Sequence, residues 1–286
     1  MPSDLLNCLQ QHRERTFNIL HGKQLKSAED AVRFVNQNGF VFFWPIKGVI
    51  LPSLWVATAG NRPLPNNHDD PGHITWDWKD KLLSKKLWYY GRVLRRRNTI
   101  ISLASLPYFY ALSPNYGDPE NDYIEQYAMG TITREAKMVY EALLKEGPLD
   151  SLALRRAAQM SNASSSGRFN KALDDLQGEM KVLPVGISPV GTWRYAFIYD
   201  IVTRHFPDLQ MEARPISDQD ARLFLARQYF EMAGAAKIEE VSRLFHWRKE
   251  DTNRIVNKLM ESGELNAIKT IPDLPGAYLV LKSLIG

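Results

Sequence analysis

TREAKMVYEALLKEGPLD (133–150), SLALRRAAQMSNASSSGRFNKALDDLQG (151–178) and EMKVLPVGISPVGTWRYAFIY (179–199) form the stretch on which the reading of the fold turns. Met138, Val139, Ala142, Leu143 and Leu144 recur at helical spacing, and Glu146-Gly147-Pro148-Leu149 is a stop signal. A short helix is predicted over 151–159, a Ser/Asn-rich turn follows, and a third helix is predicted over 167–177. Val182-Leu183-Pro184-Val185 and Trp193-Arg194-Tyr195-Ala196-Phe197 flank a turn at Ser188-Pro189-Val190-Gly191, which reads as a hairpin. Three helices followed by a hairpin is the order of a winged helix, in which the third helix offers one face to the major groove and the hairpin follows the backbone.

The same order recurs toward the C-terminus with different residues. Asp218-Gln219-Asp220 opens a helix carrying Ala221, Leu223, Phe224, Ala226 and Tyr229, and Ala233-Gly234 ends it. Short helices are predicted over 238–245 and 249–262, the second closed by Gly263. Residues 265–271 and 277–281 can pair across 272–276. Two copies of one order argue for a tandem array.

Before residue 123 the signals are less regular. A helix is predicted over 4–20 and another over 27–36, where Ser27-Ala28-Glu29-Asp30 has the form of an N-cap and Asn38-Gly39 a stop. Phe40-Val41-Phe42-Phe43-Trp44 reads as a strand or extended segment closed by Pro45. Residues 76–94 read as a helix with aromatics, a further helix is predicted from Ser102 to near Pro114, and 114–122 has linker composition. The expected architecture is mainly α with small β-hairpins: tandem winged-helix (helix-turn-helix) units over 1–122, 123–212 and 213–286.

The composition bounds the function. A chain of 286 residues, 44% hydrophobic and 24% charged, can bury a core and exceeds one ordinary domain. Cys8 is the single cysteine, so no intrachain disulfide is possible, and a reducing cytoplasmic location is expected. No basic-then-apolar leader and no run long enough to span a bilayer is visible, so no membrane partner is expected. No Gly-x-Ser-x-Gly, phosphate-binding Gly-rich loop or His-Glu-x-x-His is present, and no cofactor is expected. His68 and His73 flank Asp69, Asp70 and Asp77 in a Pro/Asn-rich loop, a setting that reads as hydrated surface rather than metal site.

The net charge of +4 is unevenly placed. Lys79, Lys81, Lys85, Lys86, Arg92, Arg95, Arg96 and Arg97 face one acid, Asp80, within 79–97. Such a run attracts phosphates, or it is a solvated helix face. Arg168 and Lys171 on one predicted third helix, and Arg248 and Arg254 on the other, are donors suited to phosphates and base edges, although winged helices also serve protein contacts. Trp44, Trp55, Trp76, Trp78 and Trp88 read as packing groups rather than base-stacking platforms.

Ala221-Arg222-Leu223-Phe224-Leu225-Ala226-Arg227-Gln228-Tyr229, then Gly234 and Phe245-His246-Trp247, resembles the winged-helix repeat of the AlkZ/YcaQ family of bacterial DNA glycosylases. Ala142-Leu143-Leu144, Gly147-Pro148-Leu149, Phe169, Ala172-Leu173, Leu176-Gln177 and Trp193-Arg194-Tyr195 resemble its inner repeat. Gln37, Leu51-Pro52-Ser53-Leu54 and Trp78-Lys79-Asp80 match more loosely. The resemblance implies a concave surface that cradles duplex DNA and hydrolysis of the N-glycosidic bond of alkylated or crosslinked bases. It also implies a catalytic Gln-x-Gln or Gln-x-Asp, to which Gln37-Asn38-Gly39 corresponds. Gly39 supplies no second polar group, and Asp80 is the leading candidate for the missing acid, with Asn38 and Asp77 behind it. The family's C-terminal β-rich domain has no counterpart here, so a shortened relative is expected. The expected partner is double-stranded DNA, bound by a monomer through Arg95, Arg96, Arg97, Arg168, Lys171, Arg248 and Arg254. A transcriptional regulator, a non-catalytic DNA-binding protein and a protein scaffold stand as alternatives.

Overall fold

The computed structural model describes residues 2–64, 69–115, 117–191, 194–269, 271 and 274–285. His68 and Trp193, named above, and residues 272–273 of the second hairpin's turn lie outside the described residues.

The described chain is mainly helical with small antiparallel sheets. After α1 (Pro2–Thr16) come α2 (Ala28–Asn38), β1 (Phe40–Phe42), α3 (Leu54–Ala59), α4 (Ile74–Leu83), β2 (Tyr89–Gly91) and β3 (Thr99–Ile101). Helices α5 (Leu106–Ala111) and α6 (Asp122–Ala128) lead to α7 (Arg134–Glu146), β4 (Leu149–Asp150), α8 (Ser151–Ala157), α9 (Ser166–Gly178), β5 (Val182–Ser188) and β6 (Ala196–Ile201). Short helices α10 (Val202–His205) and α11 (Leu209–Ala213) connect to α12 (Asp218–Ala233), β7 (Ala235–Ala236), α13 (Ile238–Phe245), α14 (Lys249–Glu261), β8 (Leu265–Ile268) and β9 (Tyr278–Leu281). Helix, strand, helix, helix, strand, strand therefore occurs three times among the described residues. Each time the last strand sits in the middle of a three-stranded sheet: β1-β3-β2, β4-β6-β5 and β7-β9-β8.

Local chemistry explains the helix ends. Ser27 accepts from the Asp30 amide while the Asp30 carboxylate accepts from the Ser27 amide, which satisfies two donors at the start of α2. The Thr133, Asp150 and Ser217 side chains cap α7, α8 and α12 by accepting from first-turn amides, without the reciprocal bond. Gly234 ends α12 with φ of +72°, and a Cβ there would lie 2.7 Å from Leu9 of α1, so both backbone conformation and close approach require glycine.

Two expectations before residue 123 are corrected. The helix expected over 76–94 stops at Leu83, and Tyr89–Gly91 forms a strand against β3 with Tyr90 opposite Ile100. Trp88, Tyr89 and Tyr90 are buried β-formers, and Lys86 takes a positive φ of 53° that breaks the helix. The helix expected from Ser102 begins instead at Leu106, because the Ser102 hydroxyl accepts from the Ser105 amide in a turn that ends β3.

Packing joins distant parts of the chain. One buried cluster combines Phe40, Tyr89 and Phe109 with Met180, Leu183, Leu225 and Tyr229, while another lies within 123–201 around Val139, Leu143, Phe169 and Leu176. Helix α1 packs on α12 rather than on its sequence neighbours. Arg13 donates to the carbonyls of Ala233 and Ala235 at 2.8 and 2.9 Å, Thr16 to Met232 at 2.8 Å, and His12 Nε2 to Glu231 at 2.8 Å. The Glu231, Met232 and Ala233 carbonyls lie at the end of α12, where helical partners run out, and cations favour that end of the dipole.

Trp55, Trp78 and Trp88 are buried, Trp44 is half-buried, and Trp76 is exposed. Asp70 forms a two-point contact with Arg62 at 2.8 and 2.5 Å and accepts from the Gly72 amide. Among the described residues no group of three or more His, Cys, Asp or Glu side chains is placed to hold a metal ion, and no helix is long and apolar enough to cross a membrane.

Candidate nucleic-acid interface

A cleft of about 720 Å³ opens where the turn after β2, the end of α9 and the α13–α14 junction meet. Arg95, Arg96, Arg222, Arg243 and Arg248 line it, with Glu179 and Asp251 as acids and Trp247 as an aromatic wall. Of the residues expected from sequence to touch DNA, Arg95, Arg96 and Arg248 are brought together here. Arg97, Arg168, Lys171 and Arg254 do not line the cleft.

The backbone shows how the arginines are presented. Leu94 is buried and its amide donates to Thr99 Oγ1 at 3.2 Å, while Thr99 Oγ1 donates to the Arg97 carbonyl at 2.8 Å. Between these anchors Arg95 and Arg96 take φ values of 51° and 53°. Left-handed backbone costs an L residue roughly 1–2 kcal/mol, so two in succession need the flanking anchors to persist. Their side chains are left exposed. His246 likewise ends α13 in the left-handed region at φ 57°, which turns the chain so that Arg248 becomes the N-cap residue of α14.

The cationic side chains differ in how far they are committed. Arg96 pairs with Asp175 at 2.5 Å and Arg92 with Asp174 at 2.6 Å, so α9 neutralises part of the basic run. Lys171 shares Asp175 at 2.9 Å, Arg168 reaches Glu135 at 3.4 Å, and Arg254 reaches Asp251 at 2.5 Å. Arg222 makes a two-point contact with Asp218 and lies over the Trp247 ring at 5.1 Å. Among the described residues Arg95, Arg97 and Arg248 are in no side-chain ion pair. Such uncommitted guanidinium groups on an exposed surface are the ones free to meet phosphates.

The two residues singled out for chemistry lie elsewhere. Gln37 is exposed in the last turn of α2, while Asn38 beside it is buried and donates to the Phe34 carbonyl at 2.9 Å. Gly39 approaches the Gln228 side chain so closely that a Cβ would collide with it. Asp80 Oδ1 lies 2.6 Å from Lys79 Nζ and accepts from the Tyr195 hydroxyl at 2.9 Å. The Lys79 ammonium in turn donates to Tyr195 at 2.8 Å and sits 4.5 Å from the Phe197 ring centre and 5.5 Å from that of Tyr90. Burial pushes the Lys79 ammonium below its usual range, partly opposed by Asp80, and burial followed by the Asp80 charge pushes the Tyr195 phenol up. This cluster closes β5 and β6 over α4, and the Asp80 carboxylate serves as its counter-ion. Neither Gln37 nor Asp80 lines the arginine cleft.

Sequence reasoning missed Arg243 and Glu179, and treated Arg222 and Trp247 only as part of a repeat. Each sits on an ordinary amphipathic helix or at its end, and nothing local marks it as facing a cleft formed by segments far apart in the chain.

A family model described as "AlkZ related" matches residues 25–246. Among solved structures, the Streptomyces sahachiroi DNA glycosylase AlkZ is similar with a TM-score of 0.60 at 13% identity, covering 97% of this chain and 70% of that one. At that identity the likeness concerns the fold. No curated protein matches the chain.

Proposed function

The chain belongs to the AlkZ-related family, and from that premise we propose that it is a DNA-repair-type protein that binds duplex DNA through three winged-helix units. The units correspond to the three helix, strand, helix, helix, strand, strand segments, with proposed boundaries near residues 123 and 213 and with β5–β6 and β8–β9 as wings. The observation that carries the reading is the convergence of Arg95, Arg96, Arg222, Arg243 and Arg248 on one cleft from segments far apart in sequence. Phosphate binding of this kind displaces counter-ions, so duplex affinity falls as salt rises, with a slope of about 0.9 per neutralised phosphate. A salt titration of binding to an undamaged duplex tests it. Affinity that does not change between low and moderate salt overturns the reading.

The name of the similar structure is that of a glycosylase, and the chemistry proposed by extension is hydrolysis of the N-glycosidic bond of a cationic N-alkylpurine. Such a base leaves readily, and orientation of one water is the help it needs. Gln37 is the group proposed for that task, since Asp80 is held by Lys79 and Tyr195. Binding without bond cleavage is the second reading, favoured by the position of Gln37 outside the arginine cleft.

A further inference from the structure

We propose that the arginine cleft receives the terminal phosphate monoester of a broken DNA strand, held by Arg95, Arg243 and Arg248. The inference rests on the duplex-binding reading and names the feature of DNA that enters this cleft, while the backbone of an intact duplex passes over it. At about 720 Å³ the cavity falls within the roughly 300–1,000 Å³ of small-ligand sites, so it admits a phosphate with its sugar and excludes the body of a duplex.

The charges lining the cleft do not cancel. Arg95, Arg243 and Arg248 come from the turn after β2, from α13 and from the N-cap of α14, and α13 packs against that turn. Arg243 Nε donates to the Glu239 carbonyl at 3.0 Å, which steadies the side chain and leaves its terminal nitrogens outward. Like Arg95 and Arg248, it is in no side-chain ion pair among the described residues. The acids of the cleft are less available. Asp251 engages Arg254, which lies outside the cleft. Glu179 has one carboxylate oxygen sealed from solvent, and burial raises its carboxyl above the usual range, opposed by Lys181 and Arg96, which lessens its repulsion of an arriving anion.

These walls read charge and not a base. Trp247 is 8% exposed, with Phe245 stacked on it at 4.4 Å and the Arg222 guanidinium over its ring at 5.1 Å, so it offers no open platform to a nucleobase. Arg222 is held by Asp218 and Arg96 by Asp175, which leaves the guanidinium groups of Arg95, Arg243 and Arg248 for one ligand. The planar fork of arginine suits phosphate oxygens. A backbone diester carries one charge and a pair of unesterified oxygens, whereas a monoester carries roughly −1.5 to −2 charges at pH 7 and three acceptor oxygens, one for each of these arginines. Arg95, Arg96 and His246 all line the cleft with left-handed backbone, and strain of that kind clusters at ligand clamps.

The test uses a DNA dumbbell, closed by loops at both ends, in three forms: intact, nicked with hydroxyls on both sides, and nicked with a phosphate on the 5′ or the 3′ side. At one salt concentration the full chain is expected to bind a phosphorylated nick about tenfold or more tighter than the hydroxyl nick. Arg243→Gln, at an exposed position, is expected to bring that ratio close to one, and Arg168→Gln, outside the cleft, to leave it unchanged. Equal affinity for all nicks, or a ratio that survives Arg243→Gln, overturns the proposal. Deoxyadenosine 5′-monophosphate as competitor separates the sources of a monoester: competition by the nucleotide without any preference among the nicks makes the cleft a free-nucleotide site and also overturns it. Failure to bind the intact dumbbell removes the duplex-binding reading instead, and the ratio between the nicks still decides the proposal.

Discussion

Arg96 Nη1 lies 2.5 Å from Asp175 Oδ1, and this contact ties the turn after β2 to α9 while occupying one of the arginines that line the cleft. The pair is half-exposed on the arginine side, so its net contribution to folding is within about 0–1 kcal/mol. Its larger effect is on binding. Asp175→Asn releases Arg96 and Lys171 together and is expected to raise duplex affinity and steepen the salt slope by about 0.9 per phosphate gained, with little change in melting temperature. A salt titration beside a thermal melt checks both; lower affinity in the variant counts against the cleft as the phosphate site.

The arginines should fall into two classes. Alanine at Arg95 or Arg248, which are in no ion pair among the described residues, is expected to weaken binding to any duplex and to lower the slope by about 0.9 each. Alanine at Arg168 or Arg254, which are paired to Glu135 and Asp251 on the protein surface, is expected to change the slope by less than half as much. Equal effects across the four positions would show that the duplex lies across the third helices rather than over the cleft.

The proposed chemistry is expected to be slow and narrow. Excess protein incubated with a duplex containing 7-methylguanine should yield alkali-labile sites, and Gln37→Ala should slow their appearance by about 10²-fold or more, the contribution of one positioned group. Neutral bases should stay in place. Absence of strand breaks after alkali treatment, or equal rates with and without Gln37, leaves DNA binding as the whole function.

Acid should loosen the junction between α1 and α12. Burial lowers the pKa of His12 from its ordinary 6.5, an effect reinforced by Arg15 and Arg13 and partly opposed by its hydrogen bond to the Glu231 carbonyl; burial, reinforced by Lys86, also lowers His205. For a histidine whose folded pKa is depressed, the unfolded chain binds the proton first. The stability is therefore complete above pH 6.5 and is lost as pH falls toward the folded value, each tenfold difference in proton affinity between the two states being worth about 1.4 kcal/mol. Melting temperature should drop between about pH 7.5 and 5.5, and His12→Gln, which keeps a donor for the Glu231 carbonyl without titrating, should flatten that drop. An unchanged slope in the variant assigns the acid sensitivity elsewhere.

The Lys79, Asp80 and Tyr195 cluster predicts an asymmetry between its members. Lys79→Met leaves the Asp80 carboxylate without its counter-ion beside apolar rings and should destabilise by about 3–5 kcal/mol, the cost of breaking a buried pair. Tyr195→Phe removes two hydrogen bonds but keeps the ring contact to Phe197, and should cost about 1–3 kcal/mol. Denaturant unfolding of the two variants separates these values.

By itself the sequence placed most of the longer elements, but not α3, α10, α11, β4 or β7. From residue 133 onward the helices α7, α8, α9, α12, α13 and α14 and the strands β5, β6, β8 and β9 fall within a few residues of where periodicity, caps and glycine stops place them, because each signal acts within one or two turns of chain. Before residue 123 the three-residue strands β2 and β3 were hidden: so short a segment has no period to read, and the basic run around β2 resembles a helix face. Tertiary structure alone decided that α1 docks on α12, that Asp174 and Asp175 neutralise Arg92 and Arg96, that Tyr195 joins Lys79 and Asp80, and that Glu179 and Arg243 join Arg248 at one cleft. Those relations join side chains far apart in the chain, and a charge's partner or degree of burial depends on what packs beside it, which no local pattern encodes.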